Sequence, residues 1–404
     1  MMPALSWRRL GDAPHRLFFF LGTACLLASS AWWLLAMLAR HASWSGLQSI
    51  GDLSSYLHPL IMIYGFFPFF IFGFAFTAGP RWLQMPPPTQ REYLLPGAGM
   101  GASFMALFPA MLAGQTAVLA ALACYAGFAG ALFWRFSVMI HRSAAPEKIH
   151  ARIVQAGLAA GGLALVFAIA AIATGHEWRD LVRSVGVWGF LVPLFCAVCH
   201  RMLPFFTASA LDGRPMWRPW WLLSLLVGGS YLHGVLDYAG ATRWMWLVDG
   251  PMAFITFTIV WRWGLMQSLR NRLLAMLHLS FLWLAIAYTL YFVQALLAHA
   301  GHEVLGMGPM HAVSIGFLAS ITIAMVTRVT CGHSGRMLAA DNVTWGLFLV
   351  FQLAAVSRVA AETFSSHYAV LIVTTSAIWF GCFGIWVCRS APVYLAPRQD
   401  GMPG

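Results

Sequence analysis

Runs of roughly twenty apolar, uncharged residues recur about twelve times along this chain, each long enough to cross a bilayer as one helix. They fall at about 17–39, 57–80, 93–113, 116–139, 152–175, 184–204, 217–237, 244–266, 274–297, 309–327, 342–360 and 368–388. Hydrophobic residues make up 60% of the 404, and charged residues only 9%, against about 25% charged in soluble domains. No soluble core needs that much apolar surface. The expectation is an all-α polytopic membrane protein: one transmembrane domain over 1–404, about twelve helices and short loops. The third and fourth runs are separated by Gly114-Gln115 alone. They are expected either as a tight helical hairpin or as a re-entrant pair.

Charge gives the orientation. In this scheme Arg40, Arg179, Arg183, Arg243 and Arg358 lie on one side, which leaves 19 of the 24 Lys and Arg on the other. Positive charge marks the cytoplasmic side, so both termini are expected there. Arg214 belongs to that inner set, and Trp44 is one of several aromatics at segment ends that suit the membrane interface. The formal charge of +11 is therefore topological. No basic run interleaves with aromatics, and no nucleic-acid partner is expected. Most of the seven cysteines sit inside apolar runs, where Cys acts as a small hydrophobe.

Topology sorts the fourteen histidines by depth. His58, His233, His311 and His367 lie at outer span ends. His200, His278 and His333 lie at inner ones, with His15, His141 and His150 in inner loops. His311 opens a span behind Pro309, which tolerates the first helical turn because its missing N–H is not needed there. Arg328 ends that span, about 25 Å away by helix rise, and Cys331 to Arg336 is expected as a glycine-broken loop. An ionisable group inside a membrane span suggests a functional site. His58 and His311 form the leading pair. Met62 lies four residues beyond His58 on the same helix face, and thioether with imidazole suits copper. His233 joins the metal candidates. His278 and His333 are candidates for a second, inner site. Arg201 and Arg328 could hold carboxylates as bidentate partners or simply be snorkelling anchors at the inner face. Cys196-Ala197-Val198-Cys199-His200 fits the C-x-x-C-H pattern of covalent haem attachment. Its place at the cytoplasmic end of an apolar helix favours packing instead. Asp237, Asp249, Glu303 and Glu362 read as outer-edge carboxylates, solvated or relaying protons.

Four stretches carry a family resemblance. The first is Met307 to Met337, through His311, Gly316, Met325, Thr327, Arg328, Gly332, His333, Gly335 and Arg336. The second is Arg201-Met202-Leu203-Pro204-Phe205-Phe206-Thr207, the third Leu277-His278-Leu279, and the fourth His58 to Gly65. Together they resemble the NnrS family, membrane proteins associated with nitric oxide stress and described as containing haem and copper. The family's span-2 pattern is H-x-H-E-M-x-x-G, and here Leu60 and Ile61 stand at its second His and its Glu. The resemblance implies a multi-pass protein of the bacterial inner membrane. It implies non-covalent haem b and copper as cofactors, with nitric oxide or a related small molecule and an electron donor as partners. The alternative is a transporter or binding protein for a small ligand or metal without redox chemistry. A third reading is an assembly partner whose histidines are only interfacial. An absorption spectrum of the purified protein separates the first from the others.

Overall fold

A computed structural model describes residues 5–41, 48–211 and 215–402. Trp44 and Arg214 lie outside the described residues. Those described are helical, and they divide into two compact units. The first comprises Met1–Gly186, Thr330–Arg336 and Phe383–Gly404, and the second Val187–Val329 and Met337–Cys382.

The first unit is built on α1 (Pro14–His41), α2 (Gln48–Tyr64), α3 (Phe67–Leu83), α4 (Gln90–Ala113), α5 (Gln115–Arg142), α6 (Ile149–Thr174) and the short α7 (Arg179–Ser184). Helix α1 packs against α2, α3 and α4, and α5 lies between α4 and α6. Phenylalanines fill the core, with Phe18, Phe19, Phe69, Phe72, Phe76 and Phe136 fully buried. The rings of Phe18 and Phe76 meet tilted and those of Phe76 and Phe136 edge-on, which suits the ring quadrupoles. The start of α4 is fixed by a capping box, in which Glu92 accepts from the backbone N–H of Thr89 at 2.7 Å. Gly114, with φ at +111°, joins α4 to α5. A Cβ disfavours that conformation, and the tight helical hairpin is the form found. Span 2 is interrupted: α2 ends at Tyr64, and α3 restarts behind Pro68 in its first turn.

The second unit begins within a π-helical stretch, Val185–Leu191, which leads into α8 (Val192–Ala210). It continues with α9 (Trp220–Tyr238), α10 (Trp246–Trp263), α11 (Leu265–Ser268), α12 (Arg272–His299) and α13 (Gly308–His311). A second π-helical stretch, Ala312–Ala319, runs into α14 (Ser320–His333), followed by α15 (Asn342–Thr363) and α16 (Tyr368–Leu395), the residues of α14 from Thr330 and of α16 from Phe383 counting with the first unit. Helix α12 is the hub, touching α8, α10, α11, α13 and α15. Its start is capped by Asn271, whose side chain accepts from Leu274 N, and Asp341 caps α15 in the same way at Thr344 N.

Ten helices among the described residues are long and apolar enough to span a membrane, so the chain is a multi-pass membrane protein. The expected seventh and eighth segments are present as α9 and α10 but stand outside that set. One expectation is corrected. The helix opened by Pro309 does not end at Arg328 but runs through Cys331 and Gly332 to His333. Closure comes at Gly335, with φ at +70°, where Arg336 N–H returns to Cys331 O at 3.2 Å.

Candidate functional site

The second unit collects most of the candidate chemistry at two depths along α12. The first cluster surrounds His278, six residues into that helix and 1% exposed. Thr207 donates its hydroxyl proton to Leu203 O at 2.8 Å, so its oxygen accepts from His278 Nε2 at 2.9 Å. Phe206, the preceding residue, lies under the guanidinium of Arg328 at 4.0 Å from the ring centroid, a cation–π contact. Arg201 is half-buried one turn earlier on α8. Three sequence-separated stretches thus meet here: 201–207, 277–279 and the part of α14 that carries Arg328. His200, fully buried, donates through Nε2 to Pro219 O at 3.2 Å. Cys196 and Cys199 are each 1% exposed within α8, which agrees with packing residues.

The second cluster lies further along α12, where Tyr288 follows His278 by ten residues, or about 15 Å of helix. His233 of α9 and Asp249 of α10 are both fully buried, and Nδ1 of the imidazole donates to Oδ1 of the carboxylate at 2.7 Å. Trp188, on the first π-helical stretch, packs on the imidazole with ring centroids 3.8 Å apart. Tyr291 meets it edge-on at 4.4 Å, and Tyr288 at 6.1 Å. Three polar atoms here are buried without a hydrogen-bond partner: His233 Nε2, Asp249 Oδ2 and Trp188 Nε1. Such a group costs about 1–3 kcal/mol if nothing satisfies it, so their concentration in one place marks a site. With Nδ1 committed as a donor, Nε2 carries the lone pair. That is how a metal-binding imidazole is oriented by a carboxylate behind it. A π-helical interruption beside it is a frequent companion of functional sites.

The sequence placed His233 among the candidates and read Asp249 as an outer-edge carboxylate, solvated or relaying protons; its burial excludes the solvated form. Asp249 is instead the buried partner. The connection between α9 and α10 is short, so residues near those two helix ends are neighbours. That spacing was the available signal.

The other candidates fall as follows. His311 closes the one-turn α13, and its Nδ1 contacts Met307 O at 2.8 Å, which leaves Nε2 as the lone-pair nitrogen. His58 belongs to the first unit, where its ring stacks on Trp33 of α1 at 3.9 Å. Met62 and His58 are both half-buried on one face of α2. His333 also belongs to the first unit, with its ring 4.7 Å from that of His15. Among the described residues, no three His, Cys, Asp or Glu side chains gather as a set able to hold a metal ion.

In comparisons with known proteins, the family model described as NnrS protein matches residues 9–398. No curated protein matches the chain.

Proposed function

The chain belongs to the NnrS family, and on that premise we propose that it is a haem protein of the bacterial inner membrane that takes part in the response to nitric oxide. The observation that carries this reading is the buried His233–Asp249 pair with its unpartnered Nε2. A haem, if bound, would be held by an imidazole fixed in one tautomer, one of the side chains that serve haem iron. His233 meets that requirement: Asp249 fixes its orientation and makes the free nitrogen more basic. A haem bound there supplies an iron centre that takes a diatomic gas as ligand. The protein's part is to hold the imidazole, keep the carboxylate buried behind it and exclude water with Trp188, Tyr288 and Tyr291. His311 and His278 remain further imidazole candidates, and Arg201 and Arg328 candidates for the propionates. Nitric oxide or a related small molecule is the proposed partner, with an electron donor that the sequence does not identify.

Copper fits less of the chain. His58 and Met62 offer an imidazole and a thioether on one helix face, and His311 and His233 further nitrogens. Among the described residues no three His, Cys, Asp or Glu side chains converge around these donors.

The test is an absorption spectrum of detergent-purified protein expressed with ample haem. We expect a Soret band with redox-sensitive visible bands, and haem that acid-acetone extracts. His233→Ala should lose or shift that spectrum while the protein still inserts at normal levels. Colourless wild-type protein would favour the transporter or binding-protein reading.

A further inference from the structure

At one edge of the first unit, a second group of unpartnered atoms has a different chemistry. His15 and Arg16 open α1 and are 4% and 2% exposed. Arg16 uses Nη1 to donate to Tyr394 O at 3.0 Å and Ala396 O at 2.8 Å, which ties the chain's last helix to its first. Its Nε and the Nδ1 of His15 are buried and have no hydrogen-bond partner. A guanidinium Nε can only donate, so what it lacks is an acceptor. His333 packs its ring against His15. The charges of Arg16 and Arg398 act on His15, and those of Arg81 and Arg398 on His333. Two carboxylates stand near: Asp400 pairs with Arg398 at 2.6 Å, and Asp12 lies 3.9 Å from Arg9, with its charge also acting on Arg16.

Two imidazoles alone would suit a transition metal. The surrounding arginines oppose any cation, and so does the positive end of the α1 dipole. The same features favour an anion. Donors on several side chains suit a group with several acceptor oxygens. His15 is the second residue of a membrane-spanning helix, and His333 the last residue of another, which is the depth of lipid headgroups. We propose that His15, Arg16 and His333, aided by the charge of Arg81, bind a phosphate group, carried either by an anionic phospholipid or by a free phosphate ion.

The two sources separate experimentally. Full-length protein in detergent is titrated with inorganic phosphate, following the thermal unfolding midpoint. In parallel it is placed in nanodiscs of phosphatidylcholine with or without phosphatidylglycerol, and retained lipid is counted by native mass spectrometry after extraction. We expect saturable binding in at least one arm. His15→Gln and His333→Gln should weaken it about tenfold each, the usual scale for a charge-assisted hydrogen bond. Arg81→Gln, at an exposed position, should weaken it by a smaller factor without disturbing the fold, so a result remains even if a histidine variant fails to fold. Binding in the phosphate arm assigns a free ion, and binding in the phosphatidylglycerol arm alone assigns a lipid. Absence of binding in both arms, or affinity unchanged in folded His333→Gln and Arg81→Gln, overturns the proposal.

Discussion

At the scale of single residues, the His233–Asp249 pair makes a prediction that does not depend on any cofactor. Removing one member of a buried, charge-assisted pair strands the other, at a cost of about 3–5 kcal/mol. Replacing both by apolar residues removes the polar burden altogether. Asp249→Leu and His233→Leu should therefore each lower the unfolding midpoint clearly. The double variant should stand well above the sum of the two losses. Thermal unfolding of the three variants in one detergent checks this, and additive losses would mean the two side chains do not act as a unit. The pair also shows where sequence reading stops. A histidine near an outer span end is visible in the sequence. That its partner is Asp249 depends on two helices folding back over a short connection, and a carboxylate sixteen positions away carries no local mark of burial.

At the scale of elements, apolar runs and glycine or proline punctuation located most helices. The Gly114 joint and the start behind Pro309 follow from backbone rules that a sequence displays. The helix end near Arg328 did not follow. Gly332 was read as a break, but one glycine in a helix costs only about 1 kcal/mol, and packing overrides it. Neither π-helical stretch was legible, because both answer to neighbours on other helices. Around Ala312–Ala319, Ser320 donates to Ile315 O at 3.3 Å. Gln352 donates to Ser320 Oγ at 3.2 Å and accepts from Trp283 Nε1 at 2.8 Å. Gly316 lets Trp283 approach: a Cβ there would stand 2.6 Å from Trp283 Cε3. Gly316→Ala should destabilise the protein by about 1–3 kcal/mol, the range for overpacking a core. Gly346→Ala is the contrast, since a Cβ in that part of α15 meets nothing within 4 Å. It should be neutral or stabilise by about 0.5–1 kcal/mol. Equal unfolding midpoints for the two variants would remove Trp283 as the reason for the glycine.

At the scale of the whole molecule, the open question is how often the chain crosses the membrane, and α9 and α10 decide it. They have 19 and 18 residues, or about 27–29 Å of helix. That just matches a hydrocarbon core of about 30 Å, so length leaves the matter balanced. The side chains settle the expectation. Trp221, Leu232, Val235, Phe254 and Trp261 are exposed along both helices, a surface that water would not tolerate at such density. The one carboxylate of α10, Asp249 in its first turn, is buried against His233. Both helices should therefore cross, for twelve spans in all. Ten or twelve crossings alike leave the termini on one side, and from the 19:5 charge division that side is expected to be the cytoplasm. The turn between α9 and α10 reports the difference. In cells, Ala241→Cys should react with a membrane-impermeant thiol reagent added from outside, above the background of the unsubstituted chain. A cysteine at Pro146, in the connection between α5 and α6, should react only after the cells are opened. Protection of position 241 in intact cells, with labelling once they are opened, would reduce the crossings to ten. Labelling of position 146 from outside would invert the orientation, and with it the depth at which every histidine has been placed.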